Sequence, residues 1–311
     1  MKLGIALGSG SARAWSHIGV LRALAELGIK PNVVTGASAG ALVGAAYASD
    51  QLDELESWAR DLNRTDVWRL LDATFSGGGV MRGDRLMAAV AERLEDHDIE
   101  SLSCPFGAVA ADLDTGREVW LRNGPMLEAV RASSGLPGLF APVQNDGRWL
   151  IDGGVVNPVP VSLCRALGAD YVIAVNLNQS TLKRTGLARK NGNDREMESK
   201  KPPLSTPSEP INRWINGLED FLNSRRSDPA DREPGLIEVM SATINIMQDH
   251  ITRNRMGGDP PDLMITPRFE DFQLMDFHRA DEAIELGDVA TRRLEEDLVS
   301  FVEASGWDGG Q

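Results

Sequence analysis

The chain has 311 residues, 42% of them hydrophobic and 25% charged, with a net charge of −14. That composition suits a globular protein with a sizeable core, and the acidic balance argues against nucleic acid as a partner. Two cysteines without pair spacing, Cys104 and Cys164, predict two buried thiols in a reduced cytoplasmic protein rather than a disulfide scaffold.

The opening "MKLGIALGSG" turns glycine-rich too early for the apolar run of a signal peptide. "KLGIALGSG" reads instead as a buried strand closed by glycines. "WSHIGVLRALAELG" follows as a helix, with Ile18, Leu21, Leu24 and Ala25 on one face and Gly28 as its stop. "PNVVTG" is a second strand and "SAGALVGAAYAS" a helix of small residues. The uncharged stretch from Pro31 to Ser49 approaches the length of a membrane span. Pro31, Asn32, Thr35 and Ser38 dilute it, so a buried strand–turn–helix is the better reading. Two strand–helix units in succession predict a parallel sheet with helical crossovers.

Helices are expected over 51–63 and 84–95. "PFGAVAADLDTGREVWLRN" reads as two strands around an Asp-Thr-Gly turn, and "PMLEAVRASSG" as a helix begun by proline. "APVQNDGRWLIDGG" is a hairpin around Asn145-Asp146-Gly147, and "SLCRALGADYVIAVNL" is a helix followed by an apolar strand. Charges, Asn, Ser and Pro then dominate from Asn178 to Pro234, which predicts a partly disordered insertion. Its tract from Lys183 to Lys201 is net basic. Ile211, Trp214, Ile215, Leu218, Phe221 and Leu222 share one face of a candidate amphipathic helix, suited to a lipid interface. The competing reading packs that helix on its own domain or on a second copy. "GLIEVMSATINIMQDHITRNRM" is a long helix, "DLMITP" a last strand, and helices over 276–286 and 288–304 close the chain. The expected organisation is a catalytic core over 1–177, the insertion over 178–234, and a part over 235–311 that completes the same domain. The fold class is α/β: a mainly parallel central sheet with helices on both faces and a helical C-terminal part.

Gly36-Ala37-Ser38-Ala39-Gly40 is a G-x-S-x-G pentapeptide between an apolar strand and a helix. That context suits a nucleophile on a sharp turn, its hydroxyl projecting beside a helix N-terminus. A packing turn is the alternative. A serine nucleophile needs a base. His17 reads as a core or capping histidine, His97 as solvated, and neither His250 nor His278 sits in a glycine-rich turn. Asp152, at a strand end before Gly153 and Gly154, is the stronger candidate, with an ordinary turn as its alternative. The loop "LGSGSARAWSHIGV" turns at Gly8 and Gly10 ahead of a helix, so its free N–H groups can bind an anion. G-x-G-x-x-G is not met, because Arg13 stands where its last glycine belongs. An oxyanion hole therefore fits better than a dinucleotide site.

Loop, elbow and Asp152-Gly153-Gly154 triplet, in that order, with "HIGVLRAL" and "ASSGLPGLFAPV" between them, resemble a bacterial patatin-like phospholipase over about residues 1–177. The resemblance implies a Ser–Asp dyad, with Ser38 as nucleophile and Asp152 as base. It also implies an oxyanion hole from the loop of Gly8, Gly10, Ser11 and Arg13. A lipid or fatty-acyl ester would be the substrate, with no metal or cofactor. The cysteine usage and the glycine-rich start predict a cytoplasmic protein, and the basic tract and amphipathic segment suit peripheral contact at the inner membrane face. One departure stands out: Ala14 occupies the position of a family glycine, and its added Cβ removes no backbone donor but leaves the substrate preference open. The rivals are a Ser–His esterase or thioesterase using His250 or His278, and a weakly active regulatory or scaffolding member of the family.

Overall fold

In the computed structural model, which describes residues 1–70, 82–178, 236–270 and 272–307, the first apolar run forms β1 (Leu3–Leu7). Leu3, Ile5 and Leu7 enter the larger core, while Ala6 enters a smaller one. This alternation is the period of two that a strand imposes, and it shows β1 buried on both faces. A 3-10 turn (Ser11–Trp15) leads into α1 (Ser16–Glu26), then β2 (Val33–Ala37) and α2 (Ala39–Ala48). The uncharged stretch is thus a buried strand and helix, as its composition predicts.

α3 (Leu52–Asp61) is followed by α4 (Arg64–Leu70). Sequence reading ran one helix to residue 63 and missed α4, although its start is marked. Asn63 Oδ1 accepts from the N–H groups of Thr65 and Asp66 at 2.8 and 3.1 Å, which is how an Asn caps a new helix. Next come α5 (Asp84–Ala91), β3 (Phe106–Asp112), β4 (Glu118–Leu121), α6 (Met126–Ser133), β5 (Val143–Asn145) and β6 (Arg148–Asp152). α7 (Val161–Ala166) and β7 (Tyr171–Val175) follow. The C-terminal part contributes α8 (Leu236–Gly258), β8 (Leu263–Ile265), α9 (Ala280–Arg292) and α10 (Glu295–Ser305). The basic tract, the candidate amphipathic helix and all but the first residue of the expected insertion lie outside the described residues.

The sheet runs β5-β6-β3-β2-β1-β7-β8, with β4 attached to β3. β1 is parallel to β2 and β7, and the β2–β3 and β7–β8 pairs are also parallel. The β3–β4, β3–β6 and β5–β6 pairs are antiparallel. The class is α/β with a mixed, mostly parallel sheet and helices around it. α2 packs over one face and α7 over the other, where Val161 and Cys164 meet Val172 and Ala174. Both cysteines are free, but only Cys164 is buried; Cys104 is half-buried.

One detail of this topology positions the site. Ala110 and Ala111 of β3 pair with both β4 and β6, and Ala108 and Val109 pair with both β4 and β2. A strand has two edges, so β2 and β6 share the edge of β3 opposite β4. They lie end to end along it, running toward each other. Ala37 pairs with Val109, and Asp152 pairs with the next residue, Ala110.

The C-terminal helices differ from expectation in their junction. α9 continues through Gly287, which the sequence reading placed between two helices. A Cβ on Gly287 would lie 2.0 Å from Ser16 O, and one on Gly19 would lie 1.9 Å from Ile284 O. These two glycines let α1 and α9 approach backbone to backbone, so Gly287 serves packing rather than chain termination. Among the described residues no helix is long and apolar enough to cross a membrane.

Candidate active site

Ser38 follows the last residue of β2 and precedes the first of α2. Its φ of 57° and ψ of −131° are costly for a residue with a Cβ, by about 1–3 kcal/mol. The elbow is held from two sides. Ser38 N–H donates to Ser133 Oγ at 2.9 Å, and Ser133 Oγ donates to Val109 O at 2.6 Å. A Cβ on Gly36 would lie 2.4 Å from Ala41 Cα, and one on Gly40 2.5 Å from the carbonyls of Leu7 and Gly8. Gly40 therefore brings the start of α2 against the loop after β1. Ala37 ends β2 and Ala39 begins α2, small residues where the chain reverses.

Ser38 Oγ donates to Asp152 Oδ2 at 2.5 Å. The other carboxylate oxygen, Oδ1, accepts from Gly154 N–H at 2.7 Å. Gly153 and Gly154 open a 3-10 turn (Gly153–Val155) capped by that same carboxylate. Asp152 has no solvent exposure, and burial pushes its carboxyl up to about 6, against the two hydrogen bonds that favour its charged form.

The loop after β1 divides into engaged and open amides. Gly8 N–H donates to Val175 O at 3.0 Å, so Gly8, expected in the anion-binding loop, supplies no donor there. Its carbonyl instead accepts from His17 Nε2 at 2.7 Å. A carbonyl can only accept, which fixes the proton on Nε2. Burial pushes His17 down to about 4, so its ring is neutral at pH 7. Gly10 and Ser11 N–H have no acceptor among the described residues. Ser11 also sits at a positive φ, 50°, and its hydroxyl donates to Leu274 O at 2.6 Å.

Arg13 is 2% exposed and remains a cation, its pKa lowered by burial to about 10. Nε donates to Gly10 O at 3.2 Å, and NH2 donates to Asn245 Oδ1 of α8 at 2.8 Å. The peptide is planar and trans, so drawing the Gly10 carbonyl to the guanidinium turns the Ser11 N–H the opposite way. Ala14 packs in the main core and is not among the residues that line the pocket.

Gly10, Ser11 and Ser38 lie on the wall of an apolar pocket that opens to solvent. Trp15, Leu42, Trp58, Val90, Leu136 and Phe277 line much of the rest. Trp15 meets Trp58 and Phe277 edge to face at 6.1 and 6.0 Å, which stiffens one wall. Of the rival bases, His250 is exposed on α8, and His278 Nε2 accepts from Arg64 Nε at 3.1 Å. Neither bonds Ser38. Among the described residues no group of His, Cys, Asp and Glu could hold a metal ion. Sequence reading missed Ser133, Asn245 and Gln248, the last of which also lines the pocket. Ser133 lies within the "ASSGLPGLFAPV" stretch that carries the resemblance, and Asn245 and Gln248 fall one turn apart on a helix.

An α/β sheet with a serine elbow, a buried carboxylate on its hydroxyl and an adjoining apolar pocket is the outline of an acyl hydrolase. Residues 5–165 match the family model for patatin-like phospholipases. An uncharacterized NTE family protein of Mycobacterium tuberculosis is 35% identical over 94% of this chain and 91% of its own length. The patatin-like phospholipase domain-containing protein 6 of Homo sapiens is 32% identical over 56% of this chain and 13% of its own. VipD from Legionella pneumophila aligns with 95% of this chain and 66% of its own, at a TM-score of 0.48 and 13% identity. The chain belongs to the patatin-like phospholipase family, and that membership supports lipid hydrolase activity.

Proposed function

We propose that the protein is a serine acyl hydrolase that cleaves lipid esters, of the phospholipase A or lysophospholipase type, through a Ser38–Asp152 dyad. The observation that carries this reading is the 2.5 Å bond from Ser38 Oγ to Asp152 Oδ2 beside the apolar pocket. The acyl chain occupies the pocket. Asp152 takes the Ser38 proton as Oγ attacks the ester carbonyl, and a carboxyl titrating near 6 is ionised yet still basic at neutral pH. The amides of Gly10 and Ser11 hold the tetrahedral oxyanion, each worth about 3 kcal/mol when positioned beforehand. Arg13 keeps that peptide turned toward the pocket. Asp152 returns the proton to the leaving alcohol, then activates the water that releases the fatty acid.

Localisation in this reading is cytoplasmic, with peripheral contact at the inner membrane face through the basic tract and the candidate amphipathic segment of 178–234. The test is labelling with a fluorophosphonate probe, mapping of the modified residue, and hydrolysis of a lysophospholipid with Ser38→Ala as blank. Labelling at Ser38 with matching loss of hydrolysis supports the dyad; labelling elsewhere overturns it.

A further inference from the structure

α8 lies outside the residues matched to the family model, yet it closes one side of the pocket. Ile244 and Gln248 line that side, and Asn245 anchors the helix to Arg13. Gln248 is 4% exposed, and no described residue hydrogen-bonds its side chain. A primary amide has two donors and an acceptor, and those of Gln248 open onto the pocket instead of being sealed without a partner. The same amide approaches the dyad closely. A Cβ on Gly154 would lie 2.4 Å from Gln248 Nε2 and 2.9 Å from Asp152 Oδ1. Amide and carboxylate are therefore neighbours across the space that a methyl group would fill.

We infer that Gln248 hydrogen-bonds the alcohol portion of the bound ester and selects alcohols that carry an oxygen next to the scissile bond, as glycerol does. The inference rests on the proposed function, because Asp152 defines the direction of departure. The proton taken from Ser38 must return to the leaving oxygen, so that oxygen departs beside Asp152. In the proposed reading the acyl chain extends the other way, along the apolar lining that includes Leu42, Trp58 and Leu136. The alcohol then meets the Gln248 amide, whose side chain has no hydrogen-bond partner among the described residues. An aryl leaving group offers no such oxygen.

The experiment compares kcat/KM for a monoacylglycerol and for a 4-nitrophenyl ester of the same acyl chain, in wild type, Ser38→Ala, Gln248→Ala and Gln248→Glu. Gln248→Ala is expected to lower the glycerol-to-aryl ratio about tenfold, the loss of one well-placed hydrogen bond. A structural fault in α8 would lower both rates together and leave the ratio where it was, which overturns the inference. Gln248→Glu sets a second carboxylate beside Asp152 and is expected to move the acid limb of the rate profile to higher pH. An unmoved limb would mean that residue 248 does not face the dyad, and would also overturn it. Hydrolysis that survives Ser38→Ala, or a wild type that cleaves neither ester, defeats the Ser38 reading itself, whatever the ratio.

Discussion

Ser38 Oγ and Asp152 Oδ2 lie 2.5 Å apart, although 114 residues separate them in the chain. Ser38→Ala removes the hydroxyl and leaves the elbow intact, since the structural bond at this residue is its N–H to Ser133. Hydrolysis should fall about a thousandfold or more, with stability changed by no more than the lost Oγ–Asp152 hydrogen bond, about 1–3 kcal/mol. Ester turnover and thermal unfolding of the same preparation check this.

Asp152→Asn should inactivate and stabilise at once. The carboxyl titrates near 3.8 when free and near 6 when buried in the fold. The folded state thus holds the proton more tightly. The associated stability is complete below about pH 4 and is lost as pH rises through 6. Asparagine carries no such loss, and its carbonyl still accepts from Gly154. Denaturant unfolding should show the variant ahead of wild type by about 2–3 kcal/mol at pH 7, the gap closing toward pH 4. In the wild type, kcat/KM should rise with pH through an apparent pKa near 6, as Asp152 becomes able to accept a proton.

Arg13→Lys keeps the charge but loses the guanidinium fork that reaches Gly10, Leu177 and Asn245 together. The Gly10–Ser11 peptide then keeps only the backbone N–H of residue 13 on its carbonyl, at 3.1 Å, and is held less firmly. We expect kcat to drop about tenfold to a hundredfold with a much smaller change in KM, the split of a group acting on the transition state. Steady-state kinetics on a soluble ester resolve the two constants.

Gly287→Ala should damage stability rather than chemistry. Its methyl would strike Ser16 O at the crossing of α1 and α9. Overpacking of this kind costs about 1–3 kcal/mol, read as a lowered denaturant midpoint. Turnover per folded, probe-labelled molecule should stay within about twofold.

Deletion of 183–222 tests lipid docking by the insertion. Vesicle binding and hydrolysis of vesicle lipid should fall, and a small soluble ester should still be cleaved. Each basic residue near an anionic surface contributes about 1 kcal/mol, so high salt should weaken the wild type toward the deletion variant. Loss on both substrates alike would assign the segment to the fold instead.

Much of the site was legible because its signals are local. A strand, a tight Gly-x-Ser-x-Gly turn and a helix follow one another within a few residues, and burial periods and small side chains announce them. Asp152 could be picked out because an apolar strand ends at it and two glycines follow. What no local pattern carries is the pairing of β2 and β6 along one edge of β3, which sets Ala37 against Val109 and Asp152 against Ala110. Strand pairing over such separations is decided by the free energy of the whole sheet, not by either strand. The same holds for α8. Its periodicity predicted a helix, but only docking at Arg13 brings Asn245 and Gln248 over the site. Gly287 looked like a helix end because a glycine weakens any isolated helix, and the partner that requires it, Ser16, lies at the other end of the chain. Sequence by itself determined the elements, the class of sheet and the two candidate side chains. The tertiary structure decided which of them meet, because close approach depends on partners far away in sequence.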